Sequence, residues 1–144
     1  MPSKSKVYFF FQKVRVSLQN RSALKRFIES VFKKEGKSLQ RINFIFCTDK
    51  ALLDINRQFL KHNFYTDIIT FDLSEYGEIF SEVYISVDRV RENAKEMGIT
   101  FKSELHRVIF HGVLHLCGYG DKSNKEIMIM RGKENDLIAQ YLNK

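Results

Sequence analysis

Proline and glycine are scarce. The 144-residue chain has one proline, Pro2, and seven glycines, which leaves little room for flexible linkers or an internal boundary. Cysteine is scarce too: Cys47 and Cys117 both sit in apolar stretches. Two such residues make no disulfide framework and read as reduced, buried thiols. Long apolar runs are missing. Val7 to Phe11 is closed by Gln12 and Lys13, short of the roughly seven residues of a secretory core. Nothing approaches the roughly 20 apolar residues of a membrane span. By elimination, a cytoplasmic protein with no membrane partner is expected.

The last shortage is local. From Met1 to Arg41 the chain holds eleven Lys/Arg but only two Asp/Glu, a balance of +9. The remainder holds thirteen against fifteen, a balance of −2, within the net +7 of the whole. A basic third beside a nearly neutral remainder suggests an anionic partner; the plainer alternative is a solvated basic surface with no specific ligand.

What is present is enough for a core. Hydrophobic residues make up 44% of the chain, and the length fits one domain spanning residues 1–144. Val7 to Phe11, Ile42 to Cys47, Ile68 to Phe71 and Val83 to Ser86 read as strands, the last after turn material at Ser74 to Gly77. Helical spacing covers Ser22 to Lys34, with Ser22 as the expected cap and Gly36 as the stop. It recurs over Asp49 to Phe59 and from Asp88 to Met97 before Gly98. A further helix is expected to open at Ser103, apolar nearly all round and therefore buried. Ser123 and Glu126 form a capping-box pattern for a last helix. The expected fold is α+β: a small mixed four-stranded sheet covered by helices, with a helical C-terminal half that carries the chemistry.

That chemistry lies in His111-Gly-Val-Leu-His115-Leu-Cys-Gly118-Tyr-Gly120-Asp121. Histidines four apart share one helix face, about 6 Å from each other. Gly118 and Gly120 break the helix, so the chain can turn back and bring Asp121 to the same point. Two imidazoles and a carboxylate with a vacant position form a catalytic zinc arrangement. The alternative is a pair of buried histidines bonded to carbonyls; the glycine turn and Asp121 favour the ion. A zincin protease carries glutamate directly after the first histidine. Gly112 stands there, which argues against a peptidase.

The remaining candidates are weaker. His106 lies about 140° around the helix from His111 and faces elsewhere. Glu104 shares the metal face but sits roughly 10 Å away, so it is expected to support the helix N-terminus. Cys117 is about 200° around from His115. His62, in Lys61-His62-Asn63, reads as a solvated loop residue.

The stretch His111 to Asp121 resembles the signature of the YbeY endoribonucleases, His-Gly-x-Leu-His-Leu-x-Gly-Tyr. Ile55-Asn56-Arg57-Gln58-Phe59 and Thr66-Asp67-Ile68-Ile69-Thr70-Phe71 resemble a second block of that family, and Ser81 to Ser86 its Gly-Asp-Ile-x-Ile strand. The likeness runs from about Phe44 to the C-terminus. It implies a single-strand-specific, metal-dependent endoribonuclease acting in 16S rRNA 3′-end maturation and ribosome quality control. It also implies one zinc ion on His111, His115 and Asp121, with rRNA and the ribosome or its proteins as partners. There are departures. Asp121 stands where the family usually has histidine, Leu60 where many members have arginine, and Ser81 and Glu82 replace Gly and Asp. Arg57 and Lys61 are the candidates to take over RNA contact from the missing arginine. Asp67 and Thr70 are candidates for catalysis by their place in the family block. The rival readings are an rRNA-binding assembly factor with a structural metal, and another zinc hydrolase.

Overall fold

The computed structural model describes residues 4–142. Its element order is β1 (Val7–Phe11), α1 (Arg21–Lys34), β2 (Ser38–Cys47), α2 (Asp49–Phe59), β3 (Ile68–Asp72), β4 (Glu78–Ser86), α3 (Val87–Met97), α4 (Phe101–Leu116) and α5 (Asn124–Leu142). The sheet runs β1-β2-β4-β3. β1, β2 and β4 are parallel, while β3 is antiparallel to β4, so the sheet is mixed. β1 and β3 are its two edges.

Register assigns the faces, because alternate residues point to opposite sides. Val7, Phe9 and Phe11 pair with Ile42, Phe44 and Phe46; Phe44 and Phe46 pair with Val83 and Ile85; Thr70 and Ile68 complete the row. This face packs on α1 and α4 through Leu24, Ile28, Ile109, Phe110 and Val113, and α5 lies against α4. Each such fully buried side chain contributes roughly 1.5–3 kcal/mol. Cys47 and Ile69 face the other way, against Leu52 and Ile55 of α2. β2 is buried on both faces from Ile42 onward, which is why its sequence is a continuous apolar run rather than an alternating one.

Several boundaries differ from the sequence reading. Asn20, not Ser22, caps α1, its side chain accepting from the Ala23 amide. α4 begins at Phe101, capped by Thr100, whose side chain accepts from Ser103 N; Ser103 therefore lies inside the first turn instead of opening it. β2 and β4 extend back to Ser38 and Glu78, because pairing with a neighbour carries a strand past its apolar stretch. The Ser123–Glu126 box forms as read: each side chain accepts from the other's amide, at 3.1 and 3.0 Å.

Candidate active-site cleft

α4 meets the sheet at Gly112. A Cβ there would lie 3.1 Å from Ile68 Cδ1 and 3.3 Å from Val83 Cγ1. The position held by glutamate in a zincin is therefore spent here on close helix–sheet packing. This contact sets His111, one residue earlier, at the rim of a cleft beside edge strand β3. The cleft encloses about 330 Å³ and is lined by Thr66, Asp67, Ile68, Thr70, Arg107, Val108, His111, His115 and Asp121.

Gly118 turns the chain back after α4 at φ +105°, a left-handed conformation that side chains other than hydrogen rarely adopt. Gly120 is also constrained: a Cβ would strike the Glu126 carboxylate of the α5 cap. These two glycines return Asp121 to the cleft. Its Oδ2 lies 3.4 Å from His111 Nε2. His115 lines the same cleft as an exposed side chain.

Behind His111 stands a charge network that sequence reasoning missed. Glu134 of α5 is 1% exposed, and its Oε2 lies 2.6 Å from His111 Nδ1. Burial opposes its ionised form, but the His111 hydrogen bond and the Arg107 charge outweigh this and hold its pKa below the ordinary range. An ionised carboxylate only accepts, so His111 Nδ1 carries the proton and donates. In the neutral imidazole the Nε2 lone pair then faces Asp121. Burial also opposes protonation of His111, yet the Glu134 bond and the charges of Glu134, Asp121 and Asp67 raise its pKa overall.

Arg107 spans this network. It donates to both oxygens of Glu104, and its Nη1 lies 3.2 Å from Glu134 Oε1. Glu104 is fully buried. It lies in the first turn of α4, as the sequence suggested, but serves there as the buried anchor of Arg107. Asp67 Oδ2 is 4.0 Å from Arg107 Nη2 and accepts from Asn93 Nδ2 at 3.2 Å. Burial, opposed by Arg107 and His111, raises its pKa. The signal for Glu134 was available: it falls between Met130 and Leu137, on the buried stripe of α5, where an unpaired acid has no place.

The other candidates lie elsewhere. Thr70 lines the cleft, whereas Arg57 and Lys61 are not among its lining residues. Arg57 Nε donates to Asn63 Oδ1 at 2.6 Å. Lys61 sits at φ +56° in the exposed loop after α2. That loop is pinned by buried Asn56, whose Nδ2 donates to the Phe64 carbonyl at 2.8 Å. His62 is exposed and stacks on Phe64. His106 is buried, its Nδ1 2.7 Å from the Lys102 carbonyl. Cys47 and Cys117 are buried free thiols whose pKa burial pushes up to about 11 and about 12.

Among the described residues, no three His, Cys, Asp or Glu side chains stand close enough together to hold an ion as they are placed. The donor chemistry nonetheless fits one. His111 has a carboxylate behind it and its second nitrogen turned to Asp121, the support that orients a metal-binding imidazole. His115 and Asp121 are both exposed in the cleft.

Fold and cleft together define the class: a small α+β protein with an imidazole–carboxylate cleft on one buried helix. The model of the endoribonuclease YbeY family matches residues 9–142, reaching further toward the N-terminus than the motifs did. The endoribonuclease YbeY of Cytophaga hutchinsonii is 47% identical over 134 residues, covering 92% of this chain and 94% of that protein. The Flavobacterium psychrophilum protein of the same name is 44% identical over 132 residues, covering 92% and 94%. A Thermotoga maritima protein known from a solution structure superposes with a TM-score of 0.58 at 27% identity, over 95% of this chain and 92% of that one. The chain belongs to the endoribonuclease YbeY family. No helix among the described residues is long and apolar enough to cross a membrane.

Proposed function

We propose that this protein is a metal-dependent endoribonuclease that cleaves single-stranded RNA. One zinc ion would be held by His111, His115 and Asp121. The observation that carries the reading is the orientation of His111: Nδ1 bound to buried Glu134, and Nε2 turned to Asp121 across 3.4 Å. When bound, such an ion supplies a Lewis acid for phosphodiester chemistry.

The chain's own groups do the rest. Glu134 holds the His111 ring and its tautomer. Arg107, pinned by Glu104 and Glu134, presents a fixed positive charge at the cleft wall for a phosphate oxygen. Asp67 is the candidate proton acceptor: a carboxylate of raised pKa within the cleft is better matched to neutral pH than an ordinary one. Thr70 offers a hydroxyl beside it. Single strands suit the cleft because an unpaired backbone can bend into it. Family membership supports a role in 16S rRNA 3′-end maturation and ribosome quality control, with the ribosome or its proteins as partners. Tight packing at Gly112 disfavours a peptidase.

Elemental analysis of the purified protein, paired with cleavage of a single-stranded RNA with and without chelator, tests this reading. One equivalent of metal and chelator-sensitive cleavage are expected. Full cleavage by metal-free protein would overturn it.

A further inference from the structure

The eleven Lys/Arg residues between Met1 and Arg41 do not enter the cleft. Among the described residues, none of them has an ion-pair partner within 4.0 Å. Of the thirteen cations beyond Arg41, Arg89, Arg107, Arg131 and Lys133 are paired with carboxylates. The region's two acids are not ion-paired with its cations: Glu29 accepts from Ser5 at 3.4 Å, and Glu35 from Tyr119 at 2.9 Å, with Lys133 3.8 Å away. The two acids offset only part of the positive field of the region, which keeps its balance of +9.

Three of these cations converge on the aromatic edge strand β1. Arg41 lies 3.9 Å from the centre of the Tyr8 ring, and Arg21 4.6 Å from that of Phe11. Lys25 approaches Tyr8 and Phe9 at 5.7 and 5.8 Å. Phe10 is 42% exposed on the same strand. Cations along an open strand edge beside an exposed ring suit single-stranded nucleic acid: the cations take phosphates, and Phe10, on the face opposite Phe9 and Phe11, offers its ring to a base. An acidic protein would match the charge but leave the exposed Phe10 ring without a partner.

We propose that the β1 edge, through Arg21, Lys25 and Arg41, is a second RNA contact that holds the single-stranded flank of the substrate. This rests on the ribonuclease reading above. β1 and β3 are opposite edges of the sheet, three strand spacings of about 4.8 Å apart. A strand lying in the cleft beside β3 must therefore extend well beyond the scissile bond to reach β1, and the contact selects for substrate length.

The test is binding of fluorescently labelled single-stranded RNA, long and short, to the full chain in chelator. Wild type is compared with the R21Q/K25Q/R41Q variant, whose fold is checked by circular dichroism. Long RNA should bind the variant about tenfold more weakly, with a salt dependence shallower by about two counterions. Short RNA should bind both proteins alike. Arg41→Lys, which keeps the charge but not the planar stack, should retain the wild-type salt slope while losing part of the affinity. Unchanged long-RNA affinity and slope in the triple variant would overturn the proposal and leave an acidic protein as the partner. Equal loss for both lengths with an intact fold would also overturn it. Failure of wild type to bind RNA of any length, together with no cleavage once metal is restored, would instead defeat the ribonuclease reading itself.

Discussion

Two histidines on the same helix, His106 and His111, meet opposite fates. Each uses Nδ1 for one hydrogen bond. His111 donates a hydrogen bond to a buried carboxylate, and its pKa is raised despite burial. His106 bonds the Lys102 backbone carbonyl, and burial lowers its pKa, helped by the nearby Lys102 charge. Five residues carry the chain from the sheet-edge side of α4 to the side that packs on Tyr141. The difference teaches that a histidine's role follows from what stands behind its ring, a charge or a dipole, more than from its burial.

Breaking the His111 side should have the largest effect. His111→Ala is expected to remove metal content and reduce RNA cleavage to background, read by elemental analysis and single-strand cleavage of a folded variant. His115→Ala should do the same. Next comes the carboxylate behind the ring. Glu134→Gln retains the shape but not the charge, and should weaken zinc binding by roughly 10–100-fold in a competition titration with a chromogenic chelator. Unchanged affinity would show that Glu134 serves Arg107 alone.

The packing that separates the two sides is probed by Gly112→Val. Overpacking against Ile68 and Val83 should cost about 1–3 kcal/mol in urea denaturation.

The smallest effect belongs to the His106 side and is read as a pH slope. Its folded-state pKa lies below the ordinary 6.5. Burying neutral His106 therefore contributes stability above pH 6.5 that is lost as the pH falls toward the folded value, because the unfolded chain takes up the proton first. His106→Phe should flatten this part of the stability–pH curve, measured by urea midpoints between pH 7 and about 5. An unaltered curve would contradict the assignment.

How much of this was legible depended on how local the cause was. The helix of His111 and His115, the break at Gly118 and the Ser123–Glu126 box each follow from residues within a few positions of one another. The return of Asp121 toward His111 was expected from the two glycines, and the structure puts the two side chains 3.4 Å apart. The helix starts were misjudged at Ser22 and Ser103 because Asn20 and Thr100, two and three residues earlier, offer equally good acceptors. Glu104 was read as a helix-end charge because Arg107, three residues on, was not weighed as its partner in a buried setting. Glu134 is 23 positions from His111, and no periodicity links them.

By itself, then, the amino-acid sequence determined the strand and helix segments, the shared face of His111 and His115, the turn toward Asp121 and the crowding of basic residues before Arg41. Periodicity, glycine conformation and composition act over short distances along the chain. Only the tertiary structure decided the strand order, the packing that occupies Gly112, the Glu104–Arg107–Glu134 support behind His111 and the gathering of Arg21, Lys25 and Arg41 around β1. The physical reason is that a carboxylate is held ionised in the interior, and cations are gathered over aromatic rings at the surface, by groups brought near in space from far along the chain.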